Sequence, residues 1–241
     1  MMDIADSPVR ILYIVLSLGV GGAEKLVYDM IKELDPKRYH PVVCCIQITG
    51  PLGDALIKDG VRVYYKKREQ GVDLSMIRWL RNIIREEKIN VIHAHQYTPY
   101  FFALLSKLFL KDVKLIYTEH GRLYPEQRNI KRYIFNPILA AFTDNIVSIS
   151  ESTKRSMITY DNFPGKKIRV ILNGVKGVNS IPSINVREKR VSIGLDEKGP
   201  VICMAARLEG IKNIPMALRA FRLILQKRPD CYLVIAGRGE L

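Results

Sequence analysis

Short apolar runs alternate with amphipathic stretches from one end of this chain to the other, and no other feature narrows the fold as much. Ile11–Ser17, Pro41–Ile46, Val61–Tyr65, Val91–His93, Val113–Thr118, Asn145–Ile149 and Ile168–Ile171 read as strands. They are bounded by turn residues and are often apolar on both sides, the pattern of strands buried on both faces of a parallel sheet. Between them, Ala23–Leu34 sets Leu26, Val27, Met30, Ile31 and Leu34 on one helical face. Leu74–Glu87 does the same with Leu74, Ile77, Leu80, Ile83 and Ile84. Asp73 and Ser150 stand where helix N-caps belong. Strand–helix–strand order of this kind predicts a doubly wound α/β sheet with helices on both faces.

The pattern extends over residues 1–175 and then changes. Residues 176–199 hold Gly177, Pro182, Gly194 and the charged knot Arg187–Arg190 with weak periodicity, and read as a linker. A second unit, 200–241, offers a strand at Pro200–Ala205, a helix at Ile214–Gln226 and a strand at Cys231–Ala236. One β-α-β unit of that size is too short to close a core of its own.

Composition sets the outer limits. At roughly 150 residues per domain, 241 residues leave room for one large domain or one and a half. A 48% apolar fraction excludes a disordered chain. No apolar run reaches the roughly 18 residues of a membrane span, and the longest, Tyr100–Leu110, is broken by Lys107. The run Ile11–Leu18 is followed by no small-residue cleavage site, which argues against a secretory signal. Cys44, Cys45, Cys203 and Cys231 lie in strand-like stretches without metal-site spacing, and are expected as buried, reduced thiols in a cytoplasmic protein. The formal charge of +14, from 38 Lys+Arg against 24 Asp+Glu, points toward an acidic partner. The surplus is spread along the chain with no basic tail or RNP-like motif, so nucleic acid is not expected.

Three loops carry the chemistry. Gly19-Val20-Gly21-Gly22 follows the first strand and opens the first helix, where backbone N–H groups can approach an anion. Two departures from a dinucleotide fingerprint argue against NAD. Glu24 stands at the third glycine position, and the second strand ends near Gln47 where an acidic residue would hold a ribose. A tight structural turn and the approach of a phosphate or sugar both stay open. His93-Ala94-His95 ends the fourth strand and Glu119-His120-Gly121 the fifth, at the edge where open α/β sheets bind ligands. The three histidines suggest a metal site but lack a clear fourth ligand. The other reading is a cleft residue that bonds a substrate hydroxyl and, for His93, a packed strand histidine. Finally, Ala205–Asn213 joins a strand to a helix. There Arg207 offers a planar fork and Lys212 a point charge suited to a diphosphate.

Taken in order, these motifs resemble the retaining glycosyltransferases of family 4, from about Ile11 to the last residue. Gly21-Gly22-Ala23-Glu24 is similar to the family's GG-x-E, Val91–His95 to its V-x-H-x-H, and Thr118-Glu119-His120-Gly121 to its T-x-H-G. Ser148–Ser152 is similar to the serine turn before the next helix, and Asn173-Gly174-Val175 to the N-G-V before the linker. Arg207, Leu208 and Lys212 are similar to G-R-L-x-x-x-K, with Ala206 in the glycine position, and Gly237-Arg238-Gly239 to the G-x-G loop.

The resemblance implies a GT-B fold: a doubly wound, Rossmann-like N-terminal domain on the acceptor side, then the first β-α-β part of a second Rossmann-like, donor-binding domain. It implies a nucleotide-sugar donor, UDP-linked, with no further cofactor and no obligatory metal. Arg207 and Lys212 would hold the diphosphate, with Gly21, Gly22, Gly237 and Gly239 at the donor. His120 would contact the donor sugar near the reacting carbon as the catalytic residue. Glu24, His95 and Asn173 would line the acceptor side of the cleft. The product would keep its anomeric configuration, and the acceptor would be a glycan or a lipid-linked molecule of cell-envelope or polysaccharide synthesis. The family's E-x₇-E motif would fall beyond Leu241, so a C-terminally truncated chain is expected. A non-catalytic half-enzyme, a GT-B sugar-nucleotide epimerase and an NAD-dependent enzyme are the alternatives. Residues 101–132 carry a net charge of +4 around the apolar run Phe101–Leu110, which suggests peripheral contact with the inner face of a membrane. A helix that buries that run is the competing expectation.

Overall fold

The computed structural model describes residues 8–121, 127–174, 185–196 and 198–240. The chain divides into two compact units, Met1–Val175 and Lys176–Leu241. In the first unit, seven strands form one sheet: β1 (Val9–Ser17), β2 (Tyr39–Ile48), β3 (Arg62–Tyr65), β4 (Val91–His95), β5 (Lys114–Glu119), β6 (Asn145–Ser148) and β7 (Ile168–Val170). All neighbours are parallel, in the order β3-β2-β1-β4-β5-β6-β7. The connections are α1 (Gly22–Lys32), α2 (Pro51–Lys58), α3 (Leu74–Glu86), α4 (Tyr97–Lys107), α5 (Ile130–Ala141) and α6 (Glu151–Asp161).

The strand period of two divides the core between the two faces. Leu12 and Ile14 of β1 face one way, with Val42 and Cys44 of β2, against Met76 and Leu80 of α3, Phe102 of α4 and Met157 of α6. Tyr13 and Val15 face the other way, with Val43 and Cys45, against Val27 and Ile31 of α1 and Leu56 of α2. On this second face, β4 to β7 carry a groove of about 500 Å³, to which α1 contributes only Leu26 and Met30 among the described residues.

Local chemistry sets the helix starts. The Asp73 carboxylate accepts from the Met76 N–H at 3.0 Å, the Ser75 hydroxyl at 2.6 Å and the Glu69 N–H at 3.0 Å. These bonds, that of Glu69 first, hold its pKa down to about 2. Ser150 Oγ likewise accepts from the Thr153 N–H at 3.0 Å to start α6. Helix α4 takes up the run Phe101–Leu110 as far as Lys107 and buries Phe102, Ala103 and Leu104, while Phe109 beyond its end is exposed. The helical part of that run is core, as the competing expectation had it.

In the second unit, α7 (Val186–Ser192) is followed by β8 (Val201–Ala205), α8 (Ile214–Leu225) and β9 (Tyr232–Ala236), and β8 pairs with β9 in parallel. Helix α7 lies inside the stretch that reads as a linker. It has no apolar stripe for periodicity to report, and what starts it is a cap: the Asn185 side-chain Oδ1 accepts from the N–H groups of Arg187 and Glu188. Val175, Gly177, Pro182 and Leu241 lie outside the described residues. Cys44, Cys45 and Cys231 are buried, but Cys203 is exposed, against the sequence expectation, because β8 sits in a two-stranded sheet with little cover. Among the described residues no helix is long and apolar enough to cross a membrane.

Candidate functional site

The strand order reverses between β1 and β4, and the chain leaves those two strands in opposite directions, which opens a crevice at the carboxyl edge. A cavity of about 430 Å³ occupies it. Leu16 comes from β1, Gln96, Tyr97 and Thr98 follow β4, and Glu119 and Gly121 end β5, with Arg128 and Arg132 from the entry to α5. Gln96 holds φ at +71°, a conformation that strains an L residue, and donates its N–H to Thr118 O at 2.9 Å. That turn carries Tyr97 and Thr98 over the edge of the sheet.

Glu119 forms part of the cavity wall and is buried. The Tyr117 hydroxyl donates to Glu119 Oε2 at 2.5 Å and the Gly121 N–H to Oε1 at 3.2 Å. Burial raises its pKa to about 7, and those two hydrogen bonds oppose the rise without cancelling it. The Arg132 guanidinium lies 3.9 Å over the Tyr97 ring and Arg128 lies 5.2 Å over Tyr133. A guanidinium stacked on a ring in this way can present its N–H edge to an anion.

The histidines form a second group. The strand period places His93 and His95 on one face of β4, with rings 4.1 Å apart, and His120 stacks on His95 at 5.1 Å. His95 Nδ1 and His120 Nε2 share a hydrogen bond of 2.8 Å, and His93 Nε2 bonds Thr118 Oγ1 at 2.8 Å. Burial lowers the pKa of His93 and of His120 to about 4, and that of His95 well below the usual value. All three are neutral at pH 7. A neutral imidazole has one N–H, so the shared bond ties the tautomers of His95 and His120 together. The outer nitrogens, His95 Nε2 and His120 Nδ1, are buried with no hydrogen-bond partner among the described residues. His93 is turned to Thr118 while His95 and His120 are turned to each other, so the rings do not aim at a common point. Among the described residues no group of three or more His, Cys, Asp or Glu is placed to hold a metal.

The glycine loop behaves unevenly. Gly21 is the extended N-cap of α1, and a Cβ there would lie 2.2 Å from Glu24 Oε2. Glu24 thus folds back over the start of its own helix, toward Ser17, and shares a small hollow with His95 and Gln96. A Cβ on Gly22 would meet nothing within 4 Å, so this glycine opens on free space. His95 and Asn173 line the groove across β4 to β7, together with His93 and Thr118. In the second unit, Arg207 Nη1 donates to Glu209 Oε1 at 2.7 Å, and Lys212 is exposed at the end of the 3-10 turn Gly210–Lys212. A Cβ on Gly237 would sit 1.8 Å from Ala206 O, and one on Gly239 2.0 Å from Leu208 O. These two glycines let the extensions of β8 and β9 run side by side, a reason internal to the chain.

Sequence reasoning passed over Gln96, Tyr97, Thr98, Arg128 and Arg132. The available signal was modest: a polar tripeptide directly after His95, and two arginines four apart after the His120 loop.

The model for the family described as Glycosyltransferase Family 4 matches residues 20–176, and that for Glycosyl transferases group 1 matches 185–241. MJ1607 of Methanocaldococcus jannaschii, described as an uncharacterized glycosyltransferase, is 30% identical over 169 residues, which cover 66% of this chain and 43% of MJ1607. The crystal structure of Anabaena Alr3699/HepE in complex with UDP and glucose has a TM-score of 0.78 at 18% identity, covering 97% of this chain and 62% of that one. A glycosyltransferase from Rickettsia africae gives 0.69 at 16% identity, covering 96% and 68%. The chain therefore spans less than two thirds of MJ1607 and of HepE. It belongs to Glycosyltransferase Family 4, with a fold of the GT-B type.

Proposed function

We propose that the chain acts in the transfer of a sugar from a UDP-linked donor to a glycan or lipid-linked acceptor, with retention of the anomeric configuration. The family match over residues 20–176 carries this reading, because it falls on the unit that builds the crevice between β1 and β4. HepE, of the same fold, is solved with UDP and glucose, which supports the choice of donor. His120 is proposed as the group at the reacting carbon. Strands β1 and β5 both end at this edge, and among the described residues His120 Nδ1 has no hydrogen-bond partner, which a sugar hydroxyl would supply. Arg207 and Lys212 hold the diphosphate as its charge develops, with the diphosphate displacing Glu209 from Arg207. Glu24 takes the acceptor side, from the hollow it shares with His95 and Gln96. No obligatory metal and no further cofactor are part of the proposal. The setting is cytoplasmic, at the inner face of a membrane and in envelope or polysaccharide synthesis. Membership in a transferase family favours this over the epimerase and half-enzyme alternatives.

Titration with UDP by calorimetry tests the reading. Charge-assisted bonds of this kind are worth about 1.5–3 kcal/mol each, so Arg207→Ala should weaken UDP at least tenfold. Binding should fall as salt rises and be unchanged by EDTA. Equal affinity in Arg207→Ala and the unaltered chain would overturn the assignment. NMR of the product formed from UDP-glucose decides retention.

A further inference from the structure

The cavity between β1 and β4 holds positive charge that the chemistry above does not use. Among the described residues, neither the Arg128 nor the Arg132 guanidinium has a hydrogen bond or an ion pair, although both line the cavity. Each is held by the face of a tyrosine ring instead, Arg132 over Tyr97 and Arg128 over Tyr133. Helix α4 begins at the same wall with no side-chain cap on its first N–H groups, which adds to the pull on negative charge. Gln96, Thr98 and Asn129 supply neutral polar groups. Among the described residues that line this cavity, the one acid is Glu119.

Glu119 is 6% exposed and stands in the wall of a cavity that draws anions. As a carboxylate it repels what the arginines attract, and as a carboxylic acid it does not. The groups around it do not lock it in either form. Tyr117 of β5 and the Gly121 N–H donate to it, and the charge of Arg132 on α5 also favours the carboxylate. Burial above all, and the charge of Asp161 on α6, oppose them, and its pKa comes to about 7. Tyr100 of α4, stacked on Tyr117 at 4.1 Å, keeps its proton through burial, as do Tyr117 and Tyr97. His95 and His120 stay neutral over the same range. An anion at the arginines offsets the charge of Arg132 and adds its own repulsion, and both effects favour a proton on Glu119.

We propose that this cavity binds an oxyanion of the phosphate class through Arg128 and Arg132, and that Glu119 takes up a proton from solvent as the oxyanion enters. The volume of about 430 Å³ lies within the range of about 300–1,000 Å³ for small-molecule sites. The phosphate is therefore carried as an ester on a larger molecule, whose hydroxyls Gln96, Thr98 and Asn129 can bond. That this molecule is the sugar acceptor rests on the transferase reading, whereas the anion site and its proton do not.

Calorimetry with sulfate, a dianion at every pH used, tests this at constant ionic strength. The unaltered chain should bind sulfate several-fold more tightly at pH 6 than at pH 8. Proton uptake is read from the change in heat between buffers of different ionisation enthalpy. Glu119→Gln should bind equally at both pH values and take up no proton. Arg132→Ala should weaken sulfate at least tenfold, and Arg128→Ala, at an exposed position, several-fold, while the melting temperatures hold. Glucose 6-phosphate, a dianion at pH 8, should bind Glu119→Gln at least tenfold more tightly than sulfate does there, and equal affinity would overturn the ester. Absence of sulfate binding at pH 6, equal binding by Arg132→Ala, or an unchanged pH dependence in Glu119→Gln overturns the proposal. Arg207→Ala keeps the two anion sites apart: sulfate binding should be unaffected while UDP is weakened, and loss of sulfate would assign the ion to the second unit instead. An unaltered chain that binds sulfate in this way but not UDP leaves this site standing and removes the transferase assignment.

Discussion

His95 and His120 show how much one shared hydrogen bond settles. With both rings neutral, a proton on His120 Nε2 leaves His120 Nδ1 as an acceptor, and a proton on His95 Nδ1 makes it a donor. His120→Ala should therefore reduce turnover of a catalytically complete enzyme by at least tenfold. The melting temperature should change little, since the ring is half-buried and its single hydrogen bond among the described residues is to His95. Unfolding without a separate loss of activity would make His120 a core residue. The same rings predict how stability follows pH. The unfolded chain protonates these histidines below about 6.5, but folded His93 and His120 do so only near 4. Their contribution is complete above 6.5 and is lost as pH falls toward 4. By pH 5 that loss is on the order of 2 kcal/mol for each. Glu119 works in the opposite direction, because its folded pKa of about 7 costs stability as pH rises from about 4.5. Three histidines outweigh one carboxyl, so the melting temperature should drop between pH 7 and pH 5. His93→Phe should make the drop shallower, and a rise in melting temperature on acidification would refute the account.

Among the elements, the ends of β8 and β9 depend on glycine in a way the loop after β1 does not. A methyl on Gly237 or Gly239 would collide with a backbone carbonyl of the neighbouring strand extension. Gly237→Ala should cost the second unit about 2–4 kcal/mol. Gly22→Ala, at the first position of α1 with open space around it, should leave stability within about 1 kcal/mol of the unaltered chain. Urea denaturation of the two variants side by side checks the contrast. Asp73 offers a separate measure at the start of α3. Asp73→Ala removes a carboxylate that accepts three hydrogen bonds, and should cost about 1–2 kcal/mol at pH 7. Because folded Asp73 titrates near 2, the cost should persist down to about pH 4 and vanish below pH 2.

At the scale of the molecule, the two units differ in what they bury. The two apolar clusters, from Ile11 to Ile168, close entirely within the first unit. The second has Ile214 and Cys231 as its buried apolar residues among those described, while α8 exposes Met216, Leu218 and Leu223. Residues 1–175 expressed alone should therefore fold with a cooperative thermal transition, whereas 176–241 alone should not. Circular dichroism melts of the two pieces decide. A sharp transition in 176–241 would show that its β-α-β unit has a sufficient core.

The sequence by itself determined the sheet. Strands apolar on both sides had to be covered on both faces, and their alternation with helices left parallel pairing as the way to connect them. It also determined the loops that carry chemistry, because glycines, histidines and arginines at strand ends are local features. The direction of helices α4 and α5 could not be read in this way. Both are rich in apolar residues, yet Phe102 and Leu104 point into the core while Ile134 and Ile138 point to solvent. Hydrophobicity says that a residue favours burial, and only the packing of neighbouring elements says whether a place for it exists. The same holds for the site. His95 and His120 are 25 residues apart, and adjacent strands β4 and β5 bring them into hydrogen-bonding contact. Gln96, Tyr97 and Arg132 form one wall because the strand order reverses at β1, which is a property of topology and of no residue in particular.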